Sequence, residues 1–234
     1  MQETTPRRLT GLDVSAFEII VALVLITLPD LLLSNLVSLP LALRRSTLLQ
    51  VRSLEQIASS LEYLVPILLF AVMLVLWLAR RNAWERRVAI VYLVWITLRL
   101  VIKIALIILI ITSRPQTGVG VLLKDTAVLW VVNFVLFGVW FWIIDAGRPR
   151  ARHEGAVHRF DFAFPQRMLT IAGWEDWQPR FWDYIFLGFS SNTQFSLGDT
   201  QVLSLRAKFL SMLQITLSMA VIVFMASFAI SLMH

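Results

Sequence analysis

Five stretches of this 234-residue chain run for about the 20 mostly apolar residues that a helix needs to cross a bilayer. They cover residues 17–36 (with an extension toward 43), 61–79, 88–112, 126–144 and 207–233. Only 15% of the residues are charged and 58% are hydrophobic. A soluble domain carries about 25% charged and about 45–50% apolar residues. The departure in both directions excludes a disordered chain and argues against a water-soluble enzyme. The first run contains Pro29-Asp30 and Pro40 and is expected to kink. It is too long for the apolar core of a signal peptide, and no small-residue cleavage site follows it. Residues 44–60 read either as an amphipathic surface helix or as a plain connection. The expected fold is all-α: a polytopic helical membrane protein of about five transmembrane helices. Its expected units are a three-span bundle over 1–125 and a second unit over 126–234. No internal repeat is visible, which disfavours an inverted-repeat transporter.

The chain has no cysteine and three histidines, His153, His158 and His234. Disulfides, thiolate zinc sites, iron–sulfur clusters and cysteine nucleophiles are thereby removed together. The histidines have no metal-ligand spacing, so neither a metal site nor a cofactor is expected. Lys and Arg outnumber Asp and Glu by 21 to 15. These basic residues sit mostly between the apolar runs, as the membrane-flanking rule predicts. The expected partner is therefore the lipid bilayer and not nucleic acid.

Polar residues inside the runs are the exceptions to explain. Arg99 and Lys103 lie four apart near the middle of the third run, so they share a helical face. A charge at that depth costs about 2.5–3.5 kcal/mol. The candidate ion-pair partners are Asp30, Glu62, Asp125 and Asp145; the competing reading is an anion or proton path. Asn133 stands alone in the fourth run and is expected to hydrogen-bond a neighbouring helix. Trp130, Trp140 and Trp142 fall near the ends of that run, where interfacial aromatics are expected.

After a polar connection over 145–179, residues 181–190 are apolar for only about ten positions. That is too short to cross and long enough to re-enter. Thr193, Gln194, Phe195, Ser196, Leu197, Gly198 and Asp199 follow, and then comes the last run. The order of helix, short helix, polar loop and helix resembles the two-helix pore module of potassium channels, whose filter reads T-V-G-Y-G-D. In that overlay Ser190-Ser191-Asn192-Thr193 match the end of the pore helix. Gln194-Phe195-Ser196-Leu197-Gly198 fall on the filter, and Asp199 matches its Asp. Ser196 replaces the first filter glycine, so potassium selectivity is not implied. Pore lining and simple turn formation both account for these seven residues.

A second resemblance covers residues 129–214. Trp140-Phe141-Trp142…Asp145-Ala146-Gly147, Asp161-Phe162-Ala163-Phe164-Pro165-Gln166 and Asn192-Thr193…Phe195-Ser196…Asp199-Thr200 look like a family of uncharacterised bacterial integral membrane proteins. What the resemblances imply is a multi-pass protein of the bacterial inner membrane with a channel-like pore unit over 126–234. It would be a homo-oligomer, a tetramer if it conducts, with monovalent cations as the conducted species. The alternative implied is a non-conducting scaffold that reuses the fold. Positive-inside counting gives an inner amino terminus and a cytoplasmic loop before the last run, whereas a potassium-type pore faces that loop outward. The count leans on one long connection, so the outward loop is the expectation.

Enzymatic readings fail on motif grounds. Gly198-Asp199 lacks the first glycine of the G-x-G-D of intramembrane aspartyl proteases, and Asp183, the available partner, lies outside a clear run. No G-x-S-x-G, phosphate-binding loop or dinucleotide fingerprint is present. No enzymatic activity is expected.

Overall fold

The structure, a computed structural model, describes residues 68, 71, 82–113, 119–146, 160–169, 173 and 177–231. The first apolar run with Asp30, the 44–60 segment and all of the second run except residues 68 and 71 lie outside the described residues. Among the described residues are five helices and one two-stranded ladder: α1 (Asn82–Ser113), α2 (Val119–Ala146), β1 (Phe162–Ala163), α3 (Pro165–Met168), α4 (Phe181–Gln194), β2 (Gln201–Val202) and α5 (Leu205–Ser231).

Among the described residues three helices are long and apolar enough to cross a membrane: Arg87–Ile108 within α1, Val119–Asp145 within α2 and Leu205–Ser231, the whole of α5. They correspond to the third, fourth and last apolar runs. In α1, Tyr92, Leu93, Ile96, Leu100, Lys103, Ile104 and Ile107 are buried at helical spacing. Val91, Val94, Leu98 and Ile102 on the other face are exposed and equally apolar. A helix that is apolar all round matches an apolar solvent better than water. α2 is the central element, with 67% of its apolar window buried, against 28% for α5. It packs against both α4 and α5, and less closely against α1.

The chain directions follow from the bonds. At the end of α2, Asp145 accepts from Tyr184 of α4, and the Ile144 carbonyl accepts from Arg206 of α5. At its middle, Asn133 bonds Asn192 of α4 and Gln214 of α5. Both α4 and α5 are therefore antiparallel to α2. A short connection of residues 114–118 makes α1 antiparallel to α2 as well. The Trp140 indole N–H, donating to Thr97 at 3.0 Å, sets its register.

Local signals start and stop these helices. Ser204 caps α5: its hydroxyl accepts from the Ala207 N–H at 3.2 Å. α4 begins with a carboxylate in its first turn, where Asp183 accepts from the Arg180 N–H at 2.6 Å. It ends on Phe195, which adopts a left-handed conformation (φ 53°). Pro165 starts α3, where its missing N–H costs nothing. Hydroxyls within the apolar helices are satisfied by their own backbone. Thr97 donates to Leu93 O, Thr126 to Leu122 O, Ser211 to Ala207 O and Thr216 to Met212 O.

The ladder was not foreseen in an all-α chain. Phe162 pairs with Val202 and Ala163 with Gln201, antiparallel. Two residues per strand leave no alternation to read. The ladder ties the connection after α2 to the approach of α5. Phe162 and Phe164 dock it by packing edge-on against Tyr184, with Phe141 and Trp177 alongside.

Candidate functional site

Two polar clusters lie along α2, one at its middle and one at its end, and the loop after α4 is the third feature of the region.

The middle cluster is built from one residue of α2, two of α4 and two of α5. Asn133, Ser191, Asn192, Gln214 and Ser218 are all fully buried. Asn133 Nδ2 donates to Asn192 Oδ1 at 2.7 Å and to the Gln214 carbonyl at 3.4 Å. Asn192 Nδ2 donates to the Trp130 carbonyl at 3.1 Å. The Gln214 amide donates to the Gly188 carbonyl at 2.7 Å and accepts from the Ser191 hydroxyl at 2.7 Å. Ser218 donates to the Asn192 carbonyl at 2.6 Å. Asn133 Oδ1 is buried and has no donor among the described residues.

α5 can reach this cluster because its inward seam is made of small or polar residues: Ala207, Ser211, Gln214, Ser218 and Val221. They recur at alternating steps of four and three, the spacing that keeps one seam on a partner helix. α4 can reach it because two glycines let its backbone approach α2. A Cβ on Gly188 would lie 2.5 Å from Phe134 O, and one on Gly138 would lie 2.9 Å from Ile185 Cα. Small residues at a helix crossing are what allow van der Waals packing between apolar helices.

The cluster makes a ranked stability prediction. Asn192→Leu removes two side-chain links and leaves the buried Asn133 amide with only its 3.4 Å bond to the Gln214 carbonyl, so its cost is expected at about 2 kcal/mol. Gln214→Leu also removes two, but Ser191 keeps its backbone acceptors, so about 1 kcal/mol is expected, and Ser218→Ala should cost about 0.6 kcal/mol. Unfolding midpoints of the three variants in detergent micelles check the order. A Ser218→Ala cost equal to that of Asn192→Leu would refute the ranking.

The end cluster joins α2, α4, α5 and the ladder. Tyr184 donates to Asp145 Oδ2 at 2.6 Å, and the Asp161 N–H donates to Asp145 Oδ1 at 2.8 Å. Arg206 forks onto Asp161, with Nε on Oδ1 at 2.7 Å and Nη2 on Oδ2. The Leu203 N–H donates to the Asp161 carbonyl at 2.9 Å. Asp145 and Asp161 are buried, whereas the Arg206 side chain is 42% exposed. Tyr184 lies outside the three candidate spans. Burial, and then the Asp145 carboxylate beside it, push its phenol well above the ordinary range. The hydroxyl therefore stays protonated and serves as a donor.

This corrects one expectation. Asp145, a candidate partner for Arg99 and Lys103, is instead bonded to Tyr184 and to the Asp161 backbone. Lys103 is buried and Arg99 half-buried. Two of the tryptophans also depart from the interfacial role. Trp140 is buried and bonded to Thr97, and Trp142 is buried edge-on against Phe181. Trp130 is half-buried between Phe134 and Phe189. Trp182, at the start of α4, is exposed, at 58%.

Of the seven filter-like residues, Thr193 and Gln194 close α4, and the rest form the return to β2. Thr193 donates back to the Phe189 and Ser190 carbonyls. Gln194, Phe195, Ser196, Gly198 and Asp199 are exposed, and Leu197 rests against the core. The left-handed backbone falls on Phe195 (φ 53°) and Gly198 (φ 63°), not on Ser196, where the overlay on the potassium filter has its first glycine. Gly198 accepts that conformation without strain; Phe195 does so at a cost.

Among the described residues no three His, Cys, Asp or Glu side chains converge to hold a metal ion. No family model, curated protein or solved structure matches the chain.

Proposed function

We propose that this is a channel-like, multi-pass protein of the bacterial inner membrane, in which α4 is a re-entrant half-helix and the loop over 194–199 faces an aqueous passage. The observation that carries the reading is where α4 stops. Its last turn bonds Asn133 and Ser218, the middles of α2 and α5. A helix of 14 residues is about 21 Å long, short of the roughly 30 Å of a hydrocarbon core. If α2 and α5 cross the bilayer, the end of α4 and the loop after it lie near mid-membrane. Non-helical backbone at that depth is tolerated only where it is buried in protein or lines water.

Within one chain the loop is exposed. A ring of copies would supply the missing wall. Four is the number that the potassium-type resemblance implies. The carbonyl end of α4 carries the negative end of its dipole, and Asp199 adds a charge nearby, so cations are the species favoured. With a single glycine in the loop, selectivity for potassium does not carry over.

The test is cation flux in proteoliposomes, alongside native mass in nanodiscs. Gln194→Ala and Asp199→Lys are expected to lower or redirect flux severalfold while the fold persists, because neither residue joins the buried clusters. The second reading, a non-conducting scaffold, is favoured by one feature: the hydrogen bonds of the amide cluster all run within a single chain. A monomer with no flux in any preparation would select it.

A further inference from the structure

We propose that the end of the bundle where α4 begins is a basic, aromatic rim seated on the anionic headgroups of the cytoplasmic leaflet, so that α4 enters the membrane from the cytoplasmic side. The proposal rests on the reading that α1, α2 and α5 cross a bilayer.

The register of the helices gathers this rim. The end of α2 and the starts of α4 and α5 meet around Asp145, Tyr184 and Arg206. Thr97 of α1 lies level with Trp140, so the start of α1, with Arg87, points to the same end. Arg87, Arg167, Arg180, Arg206 and Lys208 therefore share one end of the bundle. The sequence between Ala146 and Phe160 contains four further arginines and one glutamate. At the opposite end, near the start of α2, stands Lys124.

Asp161 neutralises Arg206, and the other four cations named here, Arg87, Arg167, Arg180 and Lys208, outnumber the remaining described acids Asp145 and Asp183. Asp145 and Asp161 are buried and engaged with Tyr184, the ladder and Arg206. Asp183 accepts the Arg180 N–H. Arg180 and Lys208 are exposed. Beside them the apolar side chains of Met168, Leu169 and Trp182 are exposed at 61%, 61% and 58%. Cations interleaved with exposed aromatic and aliphatic groups fit the boundary between headgroups and acyl chains.

Two principles turn this into an orientation. Lys and Arg excess marks the cytoplasmic side when counted over connections shorter than about 60 residues, and acids contribute little. The stretch between α2 and α4 is within that length, so its arginines count in full. The cytoplasmic leaflet is also anionic and attracts basic segments that lie within a Debye length of it. Charge complementarity and aromatic placement thus agree on one occupant, an anionic lipid surface. The loop then enters from the side opposite to that of a potassium-type pore.

The absence of native cysteine makes the test direct. Met168→Cys sits on the rim, and Gly120→Cys sits at the far end of α2, where an added Cβ meets nothing within 4 Å. With a membrane-impermeant maleimide, Met168→Cys is expected to react in inverted vesicles and not in right-side-out ones. Gly120→Cys should do the reverse. The opposite pattern overturns the proposal. Labelling of both positions from one side instead overturns the crossing of α2 on which it rests.

The lipid contact is tested with the intact chain in nanodiscs of neutral lipid, with and without phosphatidylglycerol. The thermal midpoint is expected to rise by several degrees with the anionic lipid at low salt. That rise should vanish at high salt and in the Arg180→Gln/Lys208→Gln double variant. A wild-type midpoint indifferent to phosphatidylglycerol, or a rise that the double variant retains, overturns it.

Discussion

Gly188→Ala will separate α4 from α2 and destabilise the bundle by about 3 kcal/mol, the upper part of the range for forced overpacking. The reason is geometric. The new methyl would lie 2.5 Å from Phe134 O, 2.9 Å from Gly138 N and 3.1 Å from Gly138 Cα. All three obstacles are backbone atoms of a helix, so no side-chain rotation relieves them. The axes must part, and the bonds from Gln214 and Asn192 that depend on the close approach stretch with them. Gly138→Ala is expected to cost less, about 2 kcal/mol, because one of its near neighbours, Ile185 Cδ1, is a side-chain tip that can turn away. Gly120→Ala is the control: its Cβ meets nothing within 4 Å, so the better helix former should be neutral or slightly stabilising. Unfolding in micelles of the three variants decides the matter. A Gly188→Ala midpoint equal to that of Gly120→Ala would refute the close approach.

Arg206→Ala is the second large effect, expected at about 3 kcal/mol because it leaves the buried Asp161 carboxylate without its cation. The two partners are not equivalent. Asp161 is 3% exposed and Arg206 is 42% exposed. Removing the arginine therefore strands a charge that water cannot reach. Asp161→Asn leaves an arginine that can swing into water, and it keeps the backbone bonds to Asp145 and Leu203, so about 1–2 kcal/mol is expected. Replacing both, as Asp161→Leu/Arg206→Met, should recover most of the loss, since isosteric apolar pairs often match buried ion pairs. Equal costs for Arg206→Ala and Asp161→Asn would show that burial does not control this pair.

The three long apolar helices were legible because long apolar runs need no periodicity to be seen. Asn133 was legible as a lone amide in such a run, but its partners were not. Asn192 stood in a Ser-rich stretch that reads as a turn, and Gln214 stood in an apolar run where one amide attracts no notice. The signal that joins them is the alternating step from Ala207 through Ser211, Gln214 and Ser218 to Val221, visible when the small and polar residues of the last run are placed on a helix. The end cluster was hidden for another reason. Asp145, Asp161, Tyr184 and Arg206 are spread over some 60 positions; helix packing brings Tyr184 and Arg206 to Asp145, and the two-residue ladder places Asp161 among them. Ladder register is set by tertiary packing and leaves no local pattern. Trp140 and Trp142 misled because tryptophan near the end of a run suggests an interface; the proximity of α1 and α4 decides their burial.

The fastening of α4 has a consequence for how such a protein diversifies. Every side chain that pins α4 to α2 and α5, from Tyr184 to Asn192, precedes the loop, and the bonds of Asp161 to Leu203 and Arg206 secure the chain again beyond it. The segment between these anchors contributes little to the core beyond Leu197. Mutational drift can therefore rewrite that segment while the framework stays folded, with Gly198 the position most tied to its backbone. The chemistry presented at the tip and the architecture that presents it are free to evolve at different rates, and ancestry will be written in the anchors.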